Sequence, residues 1–506
     1  MTENLISLIE RRPGVRDRPL IETPDGRCWT YRDVLDLAGR LAGALLASGA
    51  RRGDRIAAQI DKSPEGFALY LGCLRAGLVF LPLNPAYTSA ELDYFLGDAE
   101  PAVFVVRPEQ ERALAPLAAG IGAKIMTLGT AGEGSLPATA SKATVPADEN
   151  PGRDDIAAIL YTSGTTGRAK GAMLTHGNLA SNAMTLAETW RFAEHDVLLH
   201  ALPIFHAHGL FVAANTVMVA GASMLFLPKF DLDVVMRLLP RATTMMGVPT
   251  FYTRLLGDPR LDRGVCANMR LFVSGSAPLL AETHRAWQAR SGHAILERYG
   301  MTETVITTSN PYDGDRVAGT VGFPLPGVEL RIVDPASGQA LPRGETGMIE
   351  VRGPTVFPGY WRQPERNKAE FRSDGFFITG DLARRDDRGY LHIVGRDKDL
   401  VISGGYNVYP KEVESEIDGL PGVVESAVFG VAHPDFGEGV TAAVVVQPGQ
   451  VLEEIEVLKA LEARLARYKL PKRVIVVTDL PRNAMGKVQK NVLRQTYGDL
   501  YRRLAG

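Results

Sequence analysis

Cysteine is nearly absent from this chain of 506 residues: Cys28, Cys73 and Cys266 stand far apart. Three scattered thiols make no disulfide framework and no metal-type spacing, so a reducing, cytoplasmic setting is expected. An excess of one charge is missing as well. The formal net charge of −2 excludes a general electrostatic grip on nucleic acid. Long hydrophobic runs are also missing. The longest near-apolar stretch, 210–228, is broken by Asn215, Thr216 and the polar step at 221–223. It reads as a core helix followed by a short strand, and no membrane span is expected. The opening MTENLISLIERR carries Glu3 and Glu10 and lacks a long apolar core, so neither a signal peptide nor a transit peptide is expected. The G-x-x-x-x-G-K-[ST] phosphate loop is absent too.

What is present is the composition of a globular protein, 45% apolar and 23% charged, in a chain too long for one core. The segment YTSGTTGRAK (161–170) follows an apolar run of buried-strand type, 156–160. Its hydroxyls and backbone N–H groups, from Thr162, Ser163, Gly164, Thr165, Thr166 and Gly167, suit phosphate oxygens. Gly164 and Gly167 allow close backbone approach, and Arg168 and Lys170 add positive charge.

Residues 1–150 alternate helical and strand patterns: helix at 31–48, strands at 54–59 and 79–83, a helix between them, then helix 90–97 and strand 102–106. This βα layout predicts parallel sheets covered by helices. The Gly/Ser/Ala/Thr-rich stretch 124–150 reads as a surface crossing. Further βα units end in polar loops: His206 and His208 after strand 197–202, Arg254 on a helix from 251, SGSAP (274–278) after strand 270–273, and YGMTE (299–303) after strand 294–298. In an open α/β sheet such loops gather where ligands bind. His206 and His208 lack a third ligand at zinc spacing, so they read as a polar pocket wall. From about 328 short strands with Gly and Pro turns imply a small β subdomain, and the charged break GRDKD (395–399) marks a boundary. Beyond it the pattern is α+β. The expected fold is therefore α/β. A large N-terminal domain (1–395) holds parallel sheets and the β subdomain. A hinge (396–399) and a small mobile α+β domain (400–506) follow.

Five stretches in order, YTSGTTGRAKG, YGMTE (299–303), TGD (379–381), GR (395–396) and PRNAMGK (481–487), resemble the adenylate-forming superfamily of acyl-CoA synthetases, firefly-type luciferases and peptide-synthetase adenylation domains. Within it, LPIFHAHGLF (202–211), GVPTFYTRLL (247–256), SGSAPLLAETHR (274–285), the run from Glu297 to Arg316 and ISGGYNVYPKEVESEI (402–417) are similar to the malonyl-CoA synthetase branch.

The resemblance implies a ligase that joins malonate to CoA through an acyl-AMP, using ATP and Mg2+. Methylmalonate, another small acid, or a carrier protein in place of CoA are the alternatives. It implies that residues 162–168 and Lys170 hold phosphates, and that Glu303 and Thr162 help hold magnesium. Thr302 would touch the α-phosphate, Tyr299 would stack on adenine, and Asp381 with Arg396 would take the ribose. Lys487 would be catalytic, with Glu303 and His206. Lys398 would be the hinge, and Gly404 and Gly405 would line the CoA tunnel. A lysine acyltransferase acting on Lys487 is a further implied partner. The second carboxylate of a dicarboxylate needs a buried cation. Arg254 is the first choice because its fork suits a carboxylate, with Ser276 and His208 as helpers and Arg285 as the alternative.

Overall fold

In the computed structural model, residues 4–146, 150–162, 169–483 and 486–501 are described. The chain packs as two units. The first comprises residues 1–329 and 351–377, and the second 330–350 and 378–506. Packing thus divides earlier than the charged break at 395–399, which leaves that break as a proposed hinge.

The first unit has two sheets. One orders its six strands Lys124–Thr127, Val103–Val106, Arg55–Gln59, Val79–Pro82, Ile156–Thr162 and Lys170–Thr175. The first five run parallel, and Lys170–Thr175 returns antiparallel to Ile156–Thr162. The buried runs VFLP and VFVV have no polar side, as expected of parallel strands covered on both faces. Helix Pro64–Arg75, capped by Ser63 and opened by Pro64, is buried along nearly its whole length.

The other sheet has nine strands. Part of it runs in parallel through Val197–His200, Thr244–Gly247, Leu271–Ser274 and Leu296–Tyr299. A core around Tyr252, Phe272 and Trp287 draws on helices Pro249–Leu256 and Ala281–Ser291. Tyr252 and Phe272 meet Trp287 edge-on at 5.0 and 4.8 Å.

Several elements differ from the sequence reading. Residues 124–150 do not merely cross the surface: Lys124–Thr127 is an edge strand and Ser135–Ala140 a helix. The hairpin Pro19–Glu22/Cys28–Thr30, unanticipated, joins the nine-stranded sheet beside Ser223–Phe226. The stretch 210–228 is a helix followed by a strand as expected, but it opens with π-helix at His208–Ala214.

The second unit holds the four-stranded sheet Glu329–Val333, Gly347–Arg352, Phe377–Arg385 and Leu391–Arg396. It also holds a five-stranded sheet around Val423–His433 and Gly437–Val446, against which helix Pro410–Asp418 packs. The fold class is α/β with a smaller α+β part, as the sequence implied.

Candidate active site

The phosphate-type segment joins strands Ile156–Thr162 and Lys170–Thr175 as a hairpin connection, with Thr162 opposite Lys170. Ser163, Gly164, Thr165, Thr166, Gly167 and Arg168 lie outside the described residues. At its two ends the chemistry is visible. Thr162 Oγ1 lies 3.4 Å from Glu303 Oε1, and the Tyr360 hydroxyl donates to the same oxygen at 2.9 Å. Glu303 is buried. Burial and the carboxylates of Glu303 and Glu370 push the Tyr360 phenol far above its usual range, so it stays a donor. Lys170 is buried, pairs with Glu370 at 3.1 Å and sits 4.6 Å over the Tyr360 ring. Neither Tyr360 nor Glu370 was singled out from the sequence. They lie far along the chain, and only folding brings them here. Thr302 and Tyr299 lie on the same segment as Glu303 and are partly exposed.

The two side-chain contacts described for Glu303 are both hydroxyl oxygens, those of Thr162 and Tyr360. That donor set fits Mg2+, which binds through one or two carboxylates and keeps waters. Among the described residues no cluster of three His, Cys, Asp or Glu could hold a metal by itself.

A second polar cluster is built at the ends of three parallel strands. His208 is buried and its Nδ1 lies 3.1 Å from Ser276 Oγ. Ser276 has a positive φ of 71°, a strained conformation for a serine that turns the chain sharply after strand Leu271–Ser274. His206 is half-buried, and its Nδ1 accepts the His208 backbone N–H at 3.3 Å. Burial, reinforced by Arg298, lowers His206 to about 4 and keeps it neutral at pH 7. The same causes hold His208 well below its usual range.

The sequence-derived anchor requires correction here. Arg254 is exposed, 6.0 Å above the Phe230 ring, and Arg285 is exposed on its helix. The buried guanidinium is that of Arg298, 6% exposed. Its Nε and Nη2 are buried without hydrogen-bond partners, as are His208 Nε2 and Ser274 Oγ. Burial lowers Arg298 to about 9, which leaves it charged at pH 7. Among the described residues no carboxylate pairs with it. A Cβ on Gly275 would collide with its guanidinium, so only glycine lets Arg298 lie flat on that backbone. Arg254 is favoured in the sequence because its fork suits a carboxylate, a property every arginine shares whether buried or exposed. The missed signal was an arginine closing the otherwise buried strand 294–298.

In the second unit Asp381 is buried and pairs with Arg396 Nε at 3.1 Å across neighbouring strands. Lys487 is half-buried near this pair. Burial, then the charges of Arg396 and Lys398, lower it to about 8 against the pull of Asp381 and Asp399. Two hydrogen bonds link the described residues around it. Lys487 N donates to Asn483 Oδ1 at 3.0 Å, and Arg482 Nη1 donates to Gly486 O at 2.8 Å. Lys398 is exposed in a 3-10 turn, Asp397–Asp399. Gly404 and Gly405 form the two-residue turn of hairpin Val401–Ser403/Tyr406–Val408, with φ of 59° and 82°.

A buried carboxylate met by two hydroxyls, one of them at the end of a phosphate-type segment, and a buried guanidinium at the strand ends of an α/β sheet together suit an enzyme that works on anions with a nucleotide. The chain belongs to the AMP-binding enzyme family, whose pattern matches residues 10–361, while that of the AMP-binding enzyme C-terminal domain matches 412–487. It falls among that family's acyl-CoA ligases. The crystal structure of ATP-bound MatB from Rhodopseudomonas palustris is 60% identical, with a TM-score of 0.97 over 99% of this chain and 100% of that one. The mitochondrial malonate–CoA ligase of Mus musculus is 36% identical over 92% of this chain and 87% of that protein. The feruloyl-CoA synthase of an Amycolatopsis species is 37% identical over 94% and 95%.

Proposed function

We propose that the protein ligates malonate to CoA through malonyl-AMP. The observation that carries this reading is Arg298, a buried guanidinium without a carboxylate partner, beside His206, His208 and Ser276. An aromatic or aliphatic monoacid, such as the acid that names the feruloyl relative, would leave that charge unpaired at high cost. A dicarboxylate supplies the partner.

A carboxylate is a poor acyl donor because oxide would have to leave. In the first step one malonate oxygen bonds to the α-phosphorus of ATP and the bond to the β-phosphate bridge breaks, releasing pyrophosphate. In the second the CoA sulfur bonds to the acyl carbon and AMP leaves. The first step brings anions together, so fixed cations lower its barrier. Lys170 is assigned to the outer phosphates, where it would exchange Glu370 for phosphate. Glu303 and Thr162 are assigned to Mg2+, which supplies charge neutralisation when bound. Tyr360 holds the Glu303 carboxylate in place through its hydrogen bond. Tyr299 is assigned to adenine, Thr302 to the α-phosphate, and Asp381 with Arg396 to the ribose. Lys487 is assigned to adenylation alone, and His206 is kept neutral to line the acid pocket.

An acid panel with ATP, Mg2+ and CoA, scored by product mass, tests the reading. Malonyl-CoA should form in preference to propionyl-CoA and feruloyl-CoA. Preference for either monoacid would overturn malonate as the substrate.

A further inference from the structure

Behind the loop that carries His206 and His208, Lys62 and His200 form a buried pair that the assignments above do not use. Lys62 Nζ lies 2.8 Å from each of His200 Nδ1, His200 O and Leu202 O. It also sits 4.2 Å over the Phe226 ring. His200 Nε2 lies 2.8 Å from Gly209 O. Both residues are buried, and among the described residues no carboxylate pairs with Lys62.

Counting hydrogens fixes the charge. The carbonyls of His200 and Leu202 only accept, so Nζ gives each of them one N–H. Gly209 O only accepts, so His200 Nε2 carries a hydrogen. The contact between Nζ and Nδ1 needs one more proton, or two lone pairs would face each other. Whichever nitrogen holds that proton, the pair carries one positive charge: an ammonium beside a neutral imidazole, or an amine beside an imidazolium. Burial opposes this charge on either group. The three acceptors and the Phe226 face offset it.

The pair grips the acid pocket from behind. Lys62 holds the end of strand Val197–His200 at two carbonyls. His200 holds Gly209 O, the residue after His208. The loop between is closed by Leu210 N donating to His206 O at 3.0 Å, and His208 is tied to Ser276. Burial, then the charges of Arg298, His206 and His200, disfavour a proton on His208.

We propose that the Lys62–His200 pair is a positioning and specificity element of the acid pocket: a buried cation that pins the His206–Gly209 loop and favours an acid bringing a second negative charge. This rests on the malonate reading. With Arg298 it makes a second positive group at the acid end of the sheet that lacks a protein carboxylate. A monoacid leaves both uncompensated, whereas a dicarboxylate carries the charge that offsets them.

The test is Lys62→Met, which keeps the stem and removes the charge. Malonate kcat/KM should fall at least about tenfold, mainly through KM, while propionate changes by less than about threefold. The KM for ATP should not move. Equal losses for both acids, or an unchanged malonate-to-propionate ratio, overturn the proposal. If Lys62→Met fails to fold, His200 decides. His200→Gln can still accept from Lys62 and donate to Gly209, and should restore most of the ratio that His200→Leu loses. Equal ratios for these two variants overturn the proposal as well. A wild-type enzyme without preference for malonate defeats the proposed function and this inference together. A wild-type preference that survives Lys62→Met defeats this inference alone.

Discussion

Arg298 and Arg254 differ by what surrounds them. Stripping one partner from a buried ion pair costs on the order of 3–5 kcal/mol, or roughly a hundredfold or more in specificity, whereas a screened surface charge is worth about 1 kcal/mol or less. Arg298→Met should therefore lower malonate kcat/KM by about a hundredfold and leave propionate unchanged or improved. Arg254→Ala should change malonate turnover only by about threefold. Steady-state kinetics on both acids read the difference, and the reverse ranking would return Arg254 to the role of anchor. Gly275→Ala tests the same point from the backbone side. Its methyl displaces the Arg298 guanidinium, so malonate KM should rise by about tenfold or more. Lys487 gives a pH signature. Burial, Arg396 and Lys398 lower it to about 8, so its ammonium form is lost as pH rises through that value. Acid-dependent pyrophosphate release should fall on the alkaline side with a midpoint near 8. Lys487→Arg, charged throughout, should remove that limb from whatever activity it retains. A wild-type profile flat to about pH 10 would detach the limb from this lysine.

At the scale of elements, strand Leu296–Tyr299 carries two of the proposed roles. Consecutive strand residues point to opposite faces, so Arg298 and Tyr299 leave one strand end on different sides. This suits an anchor for the acid and a platform for adenine. The hairpin Val401–Ser403/Tyr406–Val408 has a simpler explanation for its glycine pair than the CoA tunnel. Of the two-residue turns that match strand twist, type I′ needs positive φ at both central residues, and Gly404 and Gly405 supply it. Gly405→Val should thus lower the melting temperature of the protein as well as thioester formation. A variant with unchanged melting temperature but lost thioester synthesis would assign Gly405 to CoA alone. Lys398 stands in a short exposed turn, Asp397–Asp399, at the proposed hinge. Lys398→Pro should impair thioester formation from supplied acyl-AMP more than pyrophosphate release. Finding both normal would place the hinge elsewhere.

At the scale of the whole molecule, the proposed chemistry divides between the two packed units. Glu303, Lys170, Arg298, His206 and His208 belong to the first, and Asp381, Arg396 and Lys487 to the second. Lys487→Ala should abolish acid-dependent pyrophosphate release and largely spare thioester formation from malonyl-AMP. Equal loss in both half-reactions, measured on one preparation, would refute that division.

The linear chain already determined the class. Alternating apolar runs and helical periods dictated parallel sheets, because each pattern is a local consequence of which faces must be buried. The five motif stretches pointed to the family, because phosphate, adenine and ribose are recognised by short segments whose spacing survives in one dimension. Only the tertiary structure decided which arginine is buried. Arg254 and Arg298 are equally charged in the sequence, and desolvation depends on neighbours drawn from distant strands. The same reason hid Tyr360 and Glu370 from the reading of Glu303 and Lys170. It also hid Lys62, whose three acceptors lie more than a hundred residues away. A buried charge is a property of the assembled surroundings, and no local pattern of residues records it.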